Sequence, residues 1–177
     1  LPLFNKKWYD STDVIASISK VTYDLVSKVS PGVENHYIPH AVNGEVFRKL
    51  DTEVIEEFKN ANFPDHNDRM IFFWNNRNAR RKQSGSLINW FSKFADRVGP
   101  DKVCLIMHTD PKDPNGQDLE VILSDHGIAD GRIVISRNKM PAEGLSLMYN
   151  MADCTINISD AEGFGLATLE SLPLSSI

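Results

Sequence analysis

Only two cysteines occur in the 177 residues, Cys104 and Cys154. Both lie inside apolar, strand-like runs, which points to buried, reduced thiols in a cytoplasmic protein rather than to a disulfide or a metal pair. No apolar run approaches the roughly 18 residues that a membrane-crossing helix needs, and no signal peptide opens the chain. Internal repeats and low-complexity segments are also absent. No Gly-x-Gly-x-x-Gly or Walker loop follows any strand, which weakens dehydrogenase and P-loop readings. Ser17, Ser19 and Ser136 lack a glycine-framed nucleophile turn, so a hydrolase is a poor fit. His36, His40, His66, His108 and His126 lack the close spacing and paired acids of a metal site. His108-Thr109-Asp110 with Asp113 comes nearest, but Pro111 and Pro114 read better as part of a rigid surface loop. A net charge of −5 argues against a general nucleic-acid binder. The chain begins at Leu1 rather than Met, so a cut N-terminal edge is expected.

What is present is an ordinary globular composition, 41% hydrophobic and 24% charged, in a length that fits one domain or one domain plus a piece of another. Residues 13–19 alternate as a short strand, and Ser19 is placed to cap a helix over Val21 to Val29, stopped by Ser30-Pro31-Gly32. A short strand follows at His36 to Pro39, and Ala41-Val42-Asn43-Gly44 signals a turn. Residues 41–68 read as a linker with a short helix over Thr52 to Lys59. From Arg69 the rhythm becomes strand, helix, strand. Strands are expected at Met70–Trp74, Val103–Met107, Arg132–Ser136 and Cys154–Ile158. Helices are expected over Ser86 to Arg97, with Leu87, Trp90, Phe91 and Phe94 inward, and over Leu119 to His126. A third should start at Met140-Pro141, with Leu145, Met148, Tyr149 and Ala152 inward. Apolar strands alternating with amphipathic helices predict an α/β fold, a Rossmann-like parallel sheet built from right-handed crossovers. Ligands of such sheets sit beyond the carboxyl ends of the strands. That places the loops after Trp74, Met107, Ser136 and Ile158 on one rim.

Two of those loops carry chemistry. After the last strand comes Glu162-Gly163-Phe164-Gly165-Leu166-Ala167-Thr168-Leu169-Glu170, a glycine turn opening a helix with a carboxylate at each end. Such a turn presents backbone N–H groups to an anion. The flanking acids suit the hydroxyl groups on either side of that anion, as in a nucleotide sugar. After the first strand comes Asn75-Asn76-Arg77-Asn78-Ala79-Arg80-Arg81-Lys82, with four cations in six residues, Arg77 to Lys82. Arginine offers a planar fork and lysine a mobile point charge, a combination suited to a diphosphate. Either loop alone has a plainer explanation: two acids meet this spacing by chance, and a basic loop aids solubility. Their order on one rim joins them.

The spacing Glu-x7-Glu and the basic loop resemble the retaining GT-B glycosyltransferases, in particular glycosyl transferases group 1, over most of residues 10–172. Tyr37-Ile38-Pro39-His40-Ala41-Val42-Asn43 is similar to that family's approach to its C-terminal domain, with His40 and Ala41 departing. The resemblance implies a donor-binding C-terminal domain at residues 69–177, truncated, behind the 41–68 linker and a 1–40 tail of the acceptor-side domain. It implies Arg77 and Lys82 on the donor's diphosphate, with Arg80 or Arg81 able to share that role. The glycines usual beside them are replaced here by Asn76 and Gln83, so the loop is expected to run differently. Glu162 would orient the transferred sugar and Glu170 would hold the ribose. Gly163, Phe164, Gly165, Leu166 and Ala167 would line the diphosphate, and Arg137 and Asn138 the base. No metal and no cofactor is implied beyond the nucleoside-diphosphate sugar itself, the donor substrate. The acceptor, whether glycan, lipid or protein, is not specified. After Glu170 the family usually continues into another strand, whereas Ser171 to Ile177 departs. An apolar edge left by truncation would favour a homodimer, and the isolated piece is expected to be inactive. The rival reading is a non-catalytic Rossmann-like nucleotide-binding or assembly module.

Overall fold

The long apolar runs become neighbouring buried strands in a computed structural model that describes residues 3–172. The chain divides into two units, Leu1–Val42 and Asn43–Ile177. In the first, α1 (Lys6–Tyr9), β1 (Val14–Ser17), α2 (Lys20–Val29) and β2 (Glu34–Tyr37) follow in order, and β1 pairs with β2 in parallel. Ser19 Oγ accepts the Thr22 N–H at 3.1 Å, the expected cap of α2. Ser17 donates to Asn35 Oδ1 at 2.8 Å, and the Asn35 amide donates to Tyr23 O at 3.0 Å. One side-chain amide therefore ties both strands to the helix.

The second unit runs α3 (Thr52–Asn62), β3 (Met70–Asn75), α4 (Ser84–Val98), β4 (Val103–His108), α5 (Leu119–Asp125), β5 (Ile133–Ser136), α6 (Ala142–Met151), β6 (Cys154–Thr155) and α7 (Leu166–Ser171). Its four strands form one parallel sheet in the order β5-β4-β3-β6. The sheet is the α/β Rossmann-like arrangement expected from the sequence. Val103 to Met107 are all buried, as are Ile71, Phe73 and Trp74 of β3. Continuous apolar runs suit these two central strands, because neither of their faces meets water. Each such side chain contributes about 1.5–3 kcal/mol on burial. From β3 the chain moves to β4 and β5 on one side, then returns through α6 to place β6 on the other side of β3. The order reverses at β3 and β6, so a crevice opens between the loops leaving their carboxyl ends.

Two helix faces and one strand length depart from expectation. In α4 the buried residues are Ser84, Leu87, Ile88, Phe91 and Ala95, while Trp90 is 58% and Phe94 39% exposed. The inward stripe is shifted because Ser84 enters the protein, donating to Asn78 Oδ1 at 2.6 Å, and so sets the rotation of the helix. In α6, Ser146 and Met151 join Met148 and Tyr149 inside, in place of Leu145 and Ala152. Ser146 is drawn in by donating to Val46 O at 2.7 Å. Within residues 41–68, expected as a linker and entry segment, the stretch before α3 bonds to α6. Leu50 N–H donates to Asn150 Oδ1 at 3.0 Å, and the Asn150 amide donates to Arg48 O at 3.1 Å. The last strand is also shorter than Cys154–Ile158. After Ile156 N–H donates to Phe73 O at 2.8 Å, Asn157 Oδ1 accepts from Ser159 N–H and Oγ and turns the chain away. The departing tail from Pro173 to Ile177 lies outside the described residues. Cys104 is buried and Cys154 half-buried, both free. Burial pushes the Cys104 thiol up to about 12, which makes it unreactive.

Candidate functional site

The loop after β3 is shaped by Asn78, which is fully buried. Its amide donates to Gln117 O at 2.6 Å and Pro111 O at 3.3 Å, and its carbonyl accepts from Ser84. Arg80 N–H donates to Asn115 O at 3.0 Å. The basic loop is thereby clipped to the loop after β4 and closes with a short 3-10 turn, Arg80–Lys82. Gln83 follows at φ 59 and ψ 32, the left-handed region that glycine adopts without strain. The backbone therefore keeps a glycine-like path although the residue is glutamine. Gln83 Nε2 donates to Asp160 Oδ2 at 2.7 Å, which helps hold it there.

This path brings Lys82 and Arg81 onto the turn after β6. Lys82 Nζ donates to Glu162 Oε1. Arg81 donates to Glu162 Oε2 at 3.1 Å and to Ala161 O at 2.5 Å, and Arg81 O accepts the Asp160 N–H at 2.9 Å. The Lys82 side chain is only 9% exposed and that of Glu162 23%. Burial pushes the Glu162 carboxyl up, but hydrogen bonds from Lys82, Ser159 and Arg81 outweigh it and hold the pKa at about 2. The Asn157 amide bridges Thr168 Oγ1 at 3.0 Å and Glu162 Oε1 at 3.4 Å. Gly163, Phe164, Gly165, Leu166 and Ala167 run from Glu162 into α7. Gly165 stands at its N-cap with φ 87, where a side chain is strained. A Cβ at Gly163 would meet nothing within 4 Å, so packing among the described residues does not demand glycine there.

Because the folded-state pKa of Glu162 lies below the ordinary 4.5, its contribution to stability is full above about pH 4.5 and is lost as pH falls through about 2. The pair is partly open to water, so the loss should be about 1 kcal/mol. Acid titration of unfolding should show a shallower decline for Glu162→Gln than for the parent chain over that window. Equal slopes would mean that the pair is not formed in solution.

Arg77, expected beside Lys82, is not brought to the glutamate turn. Its guanidinium forks onto Asp113, with Nε to Oδ2 at 2.5 Å and Nη2 to Oδ1 at 3.2 Å. That contact holds the Asp113 carboxyl well below its usual range. The reason is local: Asp113 is fixed by accepting the Asn115 N–H at 2.8 Å, and it waits on the loop that Asn78 draws in. Glu170 lies under the turn and accepts from the Tyr149 hydroxyl at 2.8 Å, while that hydroxyl accepts from the Asn75 amide at 2.9 Å. Burial raises the Glu170 carboxyl, the Tyr149 bond opposing it. Asn75, Asn78, Tyr149 and Asp113 were not singled out from the sequence as parts of the site. A polar residue at the carboxyl end of a strand is a usable signal for Asn75, whereas Tyr149 is indistinguishable from a packing residue.

Arg137 and Asn138 stand apart from the ion pair, after β5. Arg137 donates to Glu120 at 2.5 Å, and Lys112 shares that carboxylate at 2.7 Å. Beside them is a recess of about 380 Å³ lined by His108, Thr109, Lys112, Arg137 and Lys139. It occupies the β4–β5 side of the rim, whereas the Lys82–Glu162 pair spans the β3–β6 side. The His108 ring contacts Ser136 Oγ at 2.9 Å, and burial lowers its pKa. Asn138 borders a second recess of about 340 Å³ with Phe58, Phe63 and Met140. Among the described residues no cluster of acids, histidines and cysteines is arranged to hold a metal, and no helix is long and apolar enough to cross a membrane.

No family model and no curated protein matches the chain. Solved structures do. An α,α-trehalose 6-phosphate synthase from Burkholderia multivorans superposes with a TM-score of 0.74 at 13% identity, over 97% of this chain and 44% of that one. A glycosyltransferase from Rickettsia africae gives 0.73 at 21% identity, over 98% and 46%. Anabaena HepE, in complex with UDP-glucose, gives 0.71 at 14% identity, over 98% and 47%. The chain thus spans less than half the length of these proteins, and at such identities the likeness is one of fold. That fold, a parallel four-stranded sheet with flanking helices, is the Rossmann-like fold of the GT-B glycosyltransferases.

Proposed function

We propose that the chain is the donor-binding part of a hexosyltransferase-type glycosyltransferase. It would move a sugar from a nucleoside diphosphate to an acceptor hydroxyl with retention of configuration. The observation that carries this reading is the Lys82–Glu162 pair, joined by Arg81, at the crevice where the sheet order reverses. A cation and a carboxylate from two strand-end loops meet where a diphosphate and its sugar would lie. Rupture of the glycosidic bond leaves charge on the departing diphosphate. Lys82, Arg81 and the N–H groups of Gly165, Leu166 and Ala167 counter that charge without a metal. Gly163, whose side-chain space is empty, lets the phosphates approach the backbone. Glu162 accepts from the sugar hydroxyls and Glu170 from the ribose. Arg137 and Asn138 face the base. Arg77, locked to Asp113, shapes the loop and leaves the diphosphate to its neighbours. The acceptor hydroxyl attacks from the face the leaving group quits, within a short-lived ion pair, as the bond from the sugar to the diphosphate oxygen breaks and that departing oxygen takes the hydroxyl proton.

Thermal-shift measurements with UDP, GDP, ADP and UDP-glucose test this reading. UDP-glucose is included because HepE was solved with it. One base is expected to raise the melting temperature on the order of 8 °C at a hundredfold excess over Kd. If no nucleotide moves the transition, the chain is a scaffold rather than a donor site.

A further inference from the structure

A core residue on α6 needs a ring, not a hydroxyl, and Tyr149 has both. It is 3% exposed, with its ring edge-on to Phe73 at 5.1 Å and to Phe47 at 6.2 Å. Phenylalanine would fill that slot, and a hydroxyl carried into it is costly unless bonded. Here it is bonded twice, to Asn75 of β3 and to Glu170 of α7. A hydroxyl has one proton, and Glu170 as a carboxylate can only accept. The direction is therefore fixed, from the Asn75 amide to the Tyr149 oxygen and from the Tyr149 hydroxyl to Glu170 Oε2. These three residues lie on the elements that flank the crevice. The bond engages one oxygen of Glu170, and a carboxylate accepts several hydrogen bonds, so acceptor capacity remains for a ligand.

We infer that Tyr149 is a positioning residue. Held by Asn75, its hydroxyl orients the Glu170 carboxylate toward the ribose hydroxyls of a nucleoside diphosphate. The inference rests on the reading of Glu170 given under Proposed function. Orientation in advance of binding removes the cost of ordering a flexible carboxylate when the ligand arrives.

The test compares, by calorimetry, whichever of UDP, GDP and ADP the chain binds with the dideoxy analogue that lacks both ribose hydroxyls. The parent chain and Glu170→Gln, Tyr149→Phe and Asn75→Ala are titrated after circular dichroism has checked their folding. The parent is expected to prefer the ribose form, and Glu170→Gln to erase that preference. Tyr149→Phe should lose about tenfold in affinity for the ribose form, about 1.4 kcal/mol, and leave the dideoxy form unchanged. A merely structural loss would weaken both ligands alike, and that result overturns the inference. If Glu170→Gln erases the preference while Tyr149→Phe keeps it, Tyr149 alone is reassigned to packing. If the parent binds no nucleotide, or binds both forms equally, the underlying reading of the site falls as well. Should Tyr149→Phe fail to fold, Asn75→Ala reads the same ratio. A threefold loss confined to the ribose form supports the inference, and an unchanged ratio overturns it.

Discussion

Replacing Lys82 with alanine is expected to lower affinity for a nucleoside diphosphate by roughly 10- to 100-fold, about 1.5–3 kcal/mol, the range for a hydrogen bond to a charged group. Arg77→Ala is expected to leave that affinity within about twofold, comparable to an exposed charge away from the ligand. The contrast follows from where the chain sends each side chain. The Lys82 side chain is 9% exposed and aimed at Glu162, whereas that of Arg77 is 65% exposed and held by Asp113. A cation shielded from water acts in a lower effective dielectric and loses less to salt than one on the rim. Calorimetry on both variants decides the matter. Equal losses would return Arg77 to the diphosphate, and no loss from Lys82→Ala would remove this loop from the site.

The second large effect concerns stability. Asn78→Ala should lower the stability of the fold by about 3 kcal/mol and the melting temperature on the order of 10 °C. The buried amide makes two hydrogen bonds to carbonyls and accepts one from Ser84. Its loss leaves those groups without their partner in a site too tight for easy repair. Gly116→Ala strikes the same junction from the other loop. A Cβ there would lie 2.1 Å from the Asn78 backbone oxygen, so the two loops must part, at about 1–3 kcal/mol. Gly85→Ala is the control. Its nearest obstacle is the Gln117 side-chain oxygen at 2.2 Å, the end of a flexible chain that can swing aside. Alanine also favours the helix, so that variant should melt near the parent. Thermal denaturation followed by circular dichroism distinguishes them. If Gly85→Ala and Gly116→Ala behave alike, the junction is looser than its geometry indicates.

The parallel sheet was legible because strands covered on both faces leave unbroken apolar runs, and Val103 to Met107 is such a run. The placement of Lys82 near Glu162 was legible too, since strand-end loops share a rim. What was not legible depends on single side-chain bonds. The rotation of α4 follows from the Ser84–Asn78 contact, and periodicity cannot distinguish Ile88 from Trp90 as the inward residue. The separation of Arg77 from Lys82 follows from Asp113, 36 positions away, through a contact that no local pattern announces. Tyr149 has the spacing of a packing residue because it is one, and its second role appears only when Asn75 and Glu170 arrive from other elements.

The Lys82–Glu162 contact has a further consequence. In the free chain Lys82 already has a counter-ion, so an arriving phosphate must share the three donors of that ammonium with Glu162 or displace the carboxylate. The gain then depends on what the carboxylate finds in exchange. Bare phosphate offers it nothing, while a donor carrying a sugar gives it hydroxyls to accept. Discrimination in favour of the whole molecule over its fragments would be set by that swap, before any pocket closes around the ligand.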